Sequence, residues 1–108
     1  IHEHGHMTNQ TTVDALVAAT GIVPTALTMD TEGAEILVLR GAVETLRVHR
    51  PKVWASLHPD LAVTHYASPT SEVHSLMKSL GYKSRHLATD HEVHTLFYPS
   101  ERAADIRW

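Results

Sequence analysis

Cysteine is absent from these 108 residues, so neither disulfides nor thiolate chemistry is available, as suits a reducing cytoplasm. Long apolar runs are missing too. No stretch approaches the roughly 20 residues that a membrane helix needs, and no charged-then-apolar signal peptide is recognisable near Ile1. Positive charge is scarce and scattered: nine Lys and Arg against twelve Asp and Glu leave a formal charge of -3. A nucleic-acid surface normally shows a basic domain or stripe, and that partner is set aside. Glycine is thin as well, with five residues at positions 5, 21, 33, 41 and 81, no two of which form a glycine-rich turn around a nucleotide.

What is present suits one soluble domain, since about 100 to 200 residues per domain is usual. Hydrophobic residues make up 43% and charged residues 19%. Ten histidines are the compositional oddity. The chain opens at Ile1 rather than at a methionine, and it is expected to be a piece of something longer.

The apolar periodicity orders the chain. In "TTVDALVAATG" Thr11 precedes Asp14 by three, and Val13, Leu16 and Val17 share a helical face before Gly21, the plan of a short capped helix. "PTALTMD" is a mostly apolar run of the kind found in a strand buried on both faces. From Gly33, Ile36, Leu39, Val43 and Leu46 recur at helical spacing, which predicts one helix ending near His49 because Pro51 turns Arg50 away from helical angles. "KVWASLH" reads as a second strand. "SPTSEVHSLMKSLGY" has Ser68 to cap, Pro69 for the first turn, the stripe Val73, Leu76, Met77 and Leu80, and Gly81 to stop. "YKSRHLA" and "VHTLFY", joined by "TDHE", make a hairpin. Residues from Pro99 carry little pattern and are expected to be a tail, as residues 1–10 are a polar lead-in. Strands alternating with helices imply a parallel α/β sheet with right-handed crossovers and a final antiparallel strand.

In such sheets ligands bind beyond the carboxyl ends of the strands, where Asp30 and Glu32 stand. Those acids also suit the start of the following helix, so position alone leaves capping and function both open. Wording decides further. "MDTEGAEILVLRGAVETLRVHRP" closely resembles the C-terminal part of the FkbM family of S-adenosylmethionine-dependent methyltransferases, through Asp30, Glu32, Gly33, Glu35, Leu39, Gly41, Ala42 and Pro51. "TTVDAL" and "LGY" extend the resemblance, which covers roughly residues 11–99. It departs at Thr28, where the family usually has Lys, and in lacking the family's glycine-rich cofactor turn.

The resemblance implies the C-terminal half of a Rossmann-like class I methyltransferase sheet and methyl transfer to a hydroxyl of a small molecule or sugar. Most of the donor's binding site would then lie upstream of residue 1. It places Asp30 beside S-adenosylmethionine, as both a cofactor-binding and a catalytic residue, and lets Glu32 orient the acceptor or take its proton. An unaccompanied C-terminal half would be inactive and would self-associate through an uncovered sheet edge.

The second strand ends at His58 and Asp60, and the hairpin turn carries Asp90, His91, Glu92 and His94. If the last strand lies beside the His58 strand, these groups share the Asp30 rim, and His58 becomes a third candidate catalytic residue. Imidazoles and carboxylates together suit acid-base work or a zinc, iron or manganese ion. "HEVH" is not a zinc-protease motif, since its histidines are three apart and a strand points them to opposite faces. A hydrogen-bonded cluster of His58, His91 and His94 without a metal is expected. A metal-assisted enzyme built on that rim and a non-catalytic remnant of the fold are the competing readings.

Overall fold

The computed structural model describes residues 11–31, 34–57, 70–90 and 92–105. Helix α1 (Val13–Thr20) starts at Thr12, whose hydroxyl accepts the Ala15 N–H. It stops at Gly21, which takes the left-handed φ of 71° that only glycine adopts freely. Strand β1 (Ala26–Met29) follows. Next come α2 (Glu35–Arg40) and α3 (Val43–His49), then β2 (Lys52–Leu57). Helix α4 (Ser71–Ser79) leads into the hairpin of β3 (Tyr82–Thr89) and β4 (Val93–Pro99). A short 3-10 helix, Ser100–Asp105, closes the described chain.

The four strands form one mixed sheet in the order β1-β2-β4-β3. β1 and β2 are parallel, and β4 is antiparallel to both of its neighbours. The chain is thus an α/β protein whose last strand runs against the other three and lies beside β2, as the alternation of elements predicts.

Helices cover one sheet face. Val53, Ala55 and Leu57 of β2 and Phe97 of β4 are buried there with Ile36, Leu39, Leu46, Val73 and Met77. Alternation along the strands sends Trp54, Ser56, His94 and Leu96 to the other face, where Trp54 is half exposed.

Three local expectations change. The single helix from Gly33 to His49 is two helices, broken at Gly41 and Ala42. Its apolar stripe is continuous, so the break has a tertiary cause: the Asp14 side chain occupies the amides of Glu44 and Thr45. β1 is not buried on both faces, because Ala26 and Thr28 are exposed and, among the described residues, it pairs only with β2. Residues 100–105, where the pattern is weak, are ordered: the Arg50 guanidinium donates to both oxygens of Glu101 at 2.7 and 2.8 Å. Ser68, Pro69 and the terminal "HEHGH" lie outside the described residues.

Candidate functional site

The site begins with strand direction. β1 and β2 end on the same rim, and because β4 runs the opposite way, its first residues and the preceding hairpin turn lie there as well. Met29 is registered with Ala55, and Ser56 with His94. One step beyond Met29 and Ala55 sets Asp30 beside Ser56. Asp30, which follows the last residue of β1, and the registered pair Ser56 and His94 therefore belong to one rim of the sheet.

Asp30 is exposed at the end of β1 and borders a cleft of about 640 Å³. Thr12 and Leu16 of α1, Thr28 and Met29 of β1, and Leu37 of α2 line it. One carboxylate thus stands at the mouth of a cavity with largely aliphatic walls. The loop leaving Asp30 is tied down from α2: the Thr31 hydroxyl donates to Glu35 Oε2 at 2.6 Å. Glu35 is only 1% exposed. A carboxylate that deep needs hydrogen-bond donors, and Thr31 is one of them. Glu35 stood in the family motif, but nothing in the sequence distinguishes a buried anchor from a surface acid there.

The second polar group lies two strands away. His94 Nδ1 is 3.1 Å from Ser56 Oγ, and Nε2 is 3.3 Å from Asp90 Oδ2 and 3.9 Å from Glu92 Oε2. Asp90 is held in turn, since its Oδ1 accepts the Glu92 N–H at 2.9 Å. Residues 90, 92 and 94 meet at the hairpin bend: Asp90 and Glu92 lie between β3 and β4, with the Asp90 N–H donating to the Glu92 carbonyl at 3.0 Å, and His94 stands at the start of β4. One donor atom from each lies within 4.8 Å of the others, so among the described residues this is the set chemically able to hold a divalent ion. His94 is hydrogen-bonded to Ser56 and Asp90, partners other than the histidines expected beside it. His58 and His91 lie outside the described residues, as does Glu32, whereas Asp30 is where the sequence placed it. Ser56 escaped sequence reading altogether, because only the β2–β4 register makes it a partner of His94.

No helix among the described residues is long and apolar enough to cross a membrane. The Methyltransferase FkbM domain profile matches residues 5–84. A crystal structure of methyltransferase FkbM from Methylobacillus flagellatus KT is similar over 71% of this chain, at 25% identity and a TM-score of 0.48. The chain spans 20% of the length of that protein. No curated protein matches it.

Proposed function

Because the chain belongs to the Methyltransferase FkbM domain family, we propose that it forms the C-terminal part of an S-adenosylmethionine-dependent O-methyltransferase with a Rossmann-like class I sheet. The observation that carries this reading is Asp30, set at the carboxyl end of β1 over a cleft of about 640 Å³, where ligands of open α/β sheets bind. Its strand order, with an antiparallel last strand beside β2, suits the same fold.

The residues fit the donor in kind. Asp30 supplies an anion for a cationic sulfonium, and Leu16 and Leu37 supply apolar wall. When bound, the donor provides an electrophilic methyl group. The described glycines have other duties: Gly21 ends α1, Gly41 packs on Thr12, and Gly81 lies under Arg50. The glycine-rich turn for the donor would come from elsewhere in a longer enzyme.

In this reading Asp30 holds the donor side. Glu32 and His58 are assigned to the acceptor, a hydroxyl of a small molecule or sugar in the cytoplasm. Most of the rate gain comes from holding acceptor oxygen and methyl carbon in contact. The test incubates the full-length gene product with methyl-tritiated S-adenosylmethionine and a panel of monosaccharides, polyols and phenols. Label should move to a hydroxyl of one class. An enzyme that neither binds the donor in calorimetry nor transfers label overturns the reading.

A further inference from the structure

We propose that Asp90, Glu92 and His94 bind a divalent first-row transition ion of the zinc or manganese class at the bend of the β3–β4 hairpin. His94 Nε2 stands 3.3 Å from Asp90 Oδ2 and 3.9 Å from Glu92 Oε2, and one donor atom from each residue lies within 4.8 Å of the other two. Oxygen and nitrogen ligands sit about 2.0 to 2.2 Å from zinc, so two of them at a tetrahedral angle are about 3.4 Å apart. The Asp90–His94 edge already has that length. Glu92 needs to close on the ring by only about 0.5 Å to match it.

The imidazole is aimed from another strand. Ser56, registered with His94 across β2 and β4, has its Oγ 3.1 Å from His94 Nδ1. With the Nδ1–H donating to that hydroxyl, the ring's lone pair is on Nε2, the nitrogen that faces both acids. An outer partner of this kind fixes the tautomer and ring orientation of metal-binding histidines. The bend is fastened as well: the Asp90 N–H donates to the Glu92 carbonyl at 3.0 Å, and the Glu92 N–H donates back to Asp90 Oδ1 at 2.9 Å. That second bond leaves Oδ2 on the side of the ring. The three donors are thus oriented by atoms that do not themselves ligate, which is what a preorganised site requires.

The donor set selects the class of ion. Oxygen-only sets suit magnesium and calcium, whereas an imidazole suits zinc and its neighbours, and the two carboxylates extend the range to manganese. Two carboxylates converging on one imidazole also bring together negative charge that a dication balances. Asp90 is exposed and Glu92 and His94 are half-buried, so an ion reaches the bend from solvent and keeps water in its remaining positions. This site is separate from the Asp30 cleft, whose walls come from α1, β1 and α2, and it needs neither methyl donor nor acceptor. Because the folded bend assembles the donors, a bound ion stabilises the native chain by mass action.

The test strips the full-length gene product with EDTA, dialyses it, and titrates it with zinc chloride or manganese chloride. Ten histidines make total metal uptake ambiguous, so the site is followed by nitrogen-proton NMR of the histidine rings, with the His94 signals assigned by their loss in His94→Gln. The first equivalent of zinc should shift the His94 Nε2 resonance, and manganese should broaden the same ring. The unfolding midpoint should rise with zinc and fall back with EDTA. Asp90→Asn and Glu92→Gln should each weaken zinc binding by more than about tenfold, and Ser56→Ala by about tenfold, the scale of a lost outer partner. All three variants should keep the parental unfolding midpoint in EDTA, which separates lost ligation from lost folding. Magnesium in about hundredfold excess should leave zinc bound. A His94 ring that millimolar zinc and manganese leave unchanged overturns the site, as does zinc affinity undiminished in both acid variants, which assigns the metal to other histidines. Displacement of zinc by magnesium overturns the transition-ion class.

Discussion

Asp14 takes over the work of a broken helix at Thr45. Its carboxylate accepts the Thr45 backbone N–H at 2.8 Å, the Thr45 hydroxyl at 2.7 Å and the Glu44 N–H at 3.1 Å. In a continuous helix those two amides would bond the carbonyls of Gly41 and Arg40. The Gly41 carbonyl instead receives the Asp14 N–H at 2.9 Å. A side chain in α1 thus caps α3 and locks the two together behind the sheet.

Asp14→Ala should accordingly lower stability by about 1 to 2 kcal/mol, the scale of a lost N-terminal cap, and shift the denaturant midpoint without changing the slope. Burial by itself would raise the Asp14 pKa, but the hydrogen bonds from Thr45 and Glu44 outweigh it and hold the carboxyl below its ordinary value. The folded pKa lies below the unfolded one, so this contribution is complete above the unfolded value of about 3.9. It fades as pH falls through the folded pKa. Parent and Asp14→Ala stabilities should converge as pH drops below about 4. Parallel curves down to pH 2 would remove Asp14 from the account.

Tyr82 marks the alkaline limit. Its hydroxyl donates to the Pro51 carbonyl at 2.6 Å. Burial pushes its pKa up to about 12, against the smaller downward pull of Arg50. Because the folded pKa is raised, the stability linked to the neutral phenol is present below the unfolded value of about 10 and is lost as pH rises toward the folded value. Of the three tyrosines, one should resist ionisation in an ultraviolet titration until near unfolding. Tyr82→Phe should abolish that late component and cost about 1 to 3 kcal/mol by stranding a buried carbonyl.

Gly41 tests how closely α1 sits on the helix break. A Cβ built there would meet the Thr12 side chain at 3.0 Å. Gly41→Ala, which helix propensity alone would favour by up to about 1 kcal/mol, should instead destabilise by about 1 to 3 kcal/mol through overpacking. A rise in melting temperature would show that α1 yields.

Legibility in the sequence follows interaction range. Period-two and helical patterns, with Gly21, Gly81 and Pro51 as punctuation, are local signals, and every described strand lies where they point. The split of α2 from α3 is invisible, because Ile36, Leu39, Val43 and Leu46 keep an unbroken stripe and the cause lies thirty residues upstream in Asp14. The partly exposed edge of β1 misleads in the same way: apolar content reports that a strand can be buried, not that a neighbour is present. At the rim, Asp30 is readable because a strand end is local. Ser56 is not, since its link to His94 depends on register across 38 residues.

The uncovered edge of β1 carries its own expectation. Ala26 and Thr28 are exposed and, among the described residues, β1 pairs only with β2; an unpaired row of backbone groups invites a second copy. The chain at about 100 µM should sediment partly as dimer, within the concentration range where exposed edges associate. Thr28→Lys should return it to monomer by charge repulsion. A parent chain that is wholly monomeric at that concentration would show that the edge is already protected.

Asp30 and Glu32 separate capping from function. Both stand just before α2, where a carboxylate interacts favourably with the exposed amides of a helix start, by about 0.3 to 1 kcal/mol at a surface site. If that were all they did, Asp30→Asn and Glu32→Gln would lose no more than this in stability and nothing in rate. A carboxylate facing a sulfonium, or orienting an acceptor, acts on the transition state instead, and a tenfold loss in kcat/KM corresponds to about 1.4 kcal/mol. In the full-length enzyme each variant should therefore lose more than about tenfold in kcat/KM while its unfolding free energy changes by less than about 1 kcal/mol. Asp30→Asn should act largely through KM for the donor, and Glu32→Gln through kcat or KM for the acceptor. Parental rates in both variants would make the two acids helix caps and move the chemistry away from the end of β1.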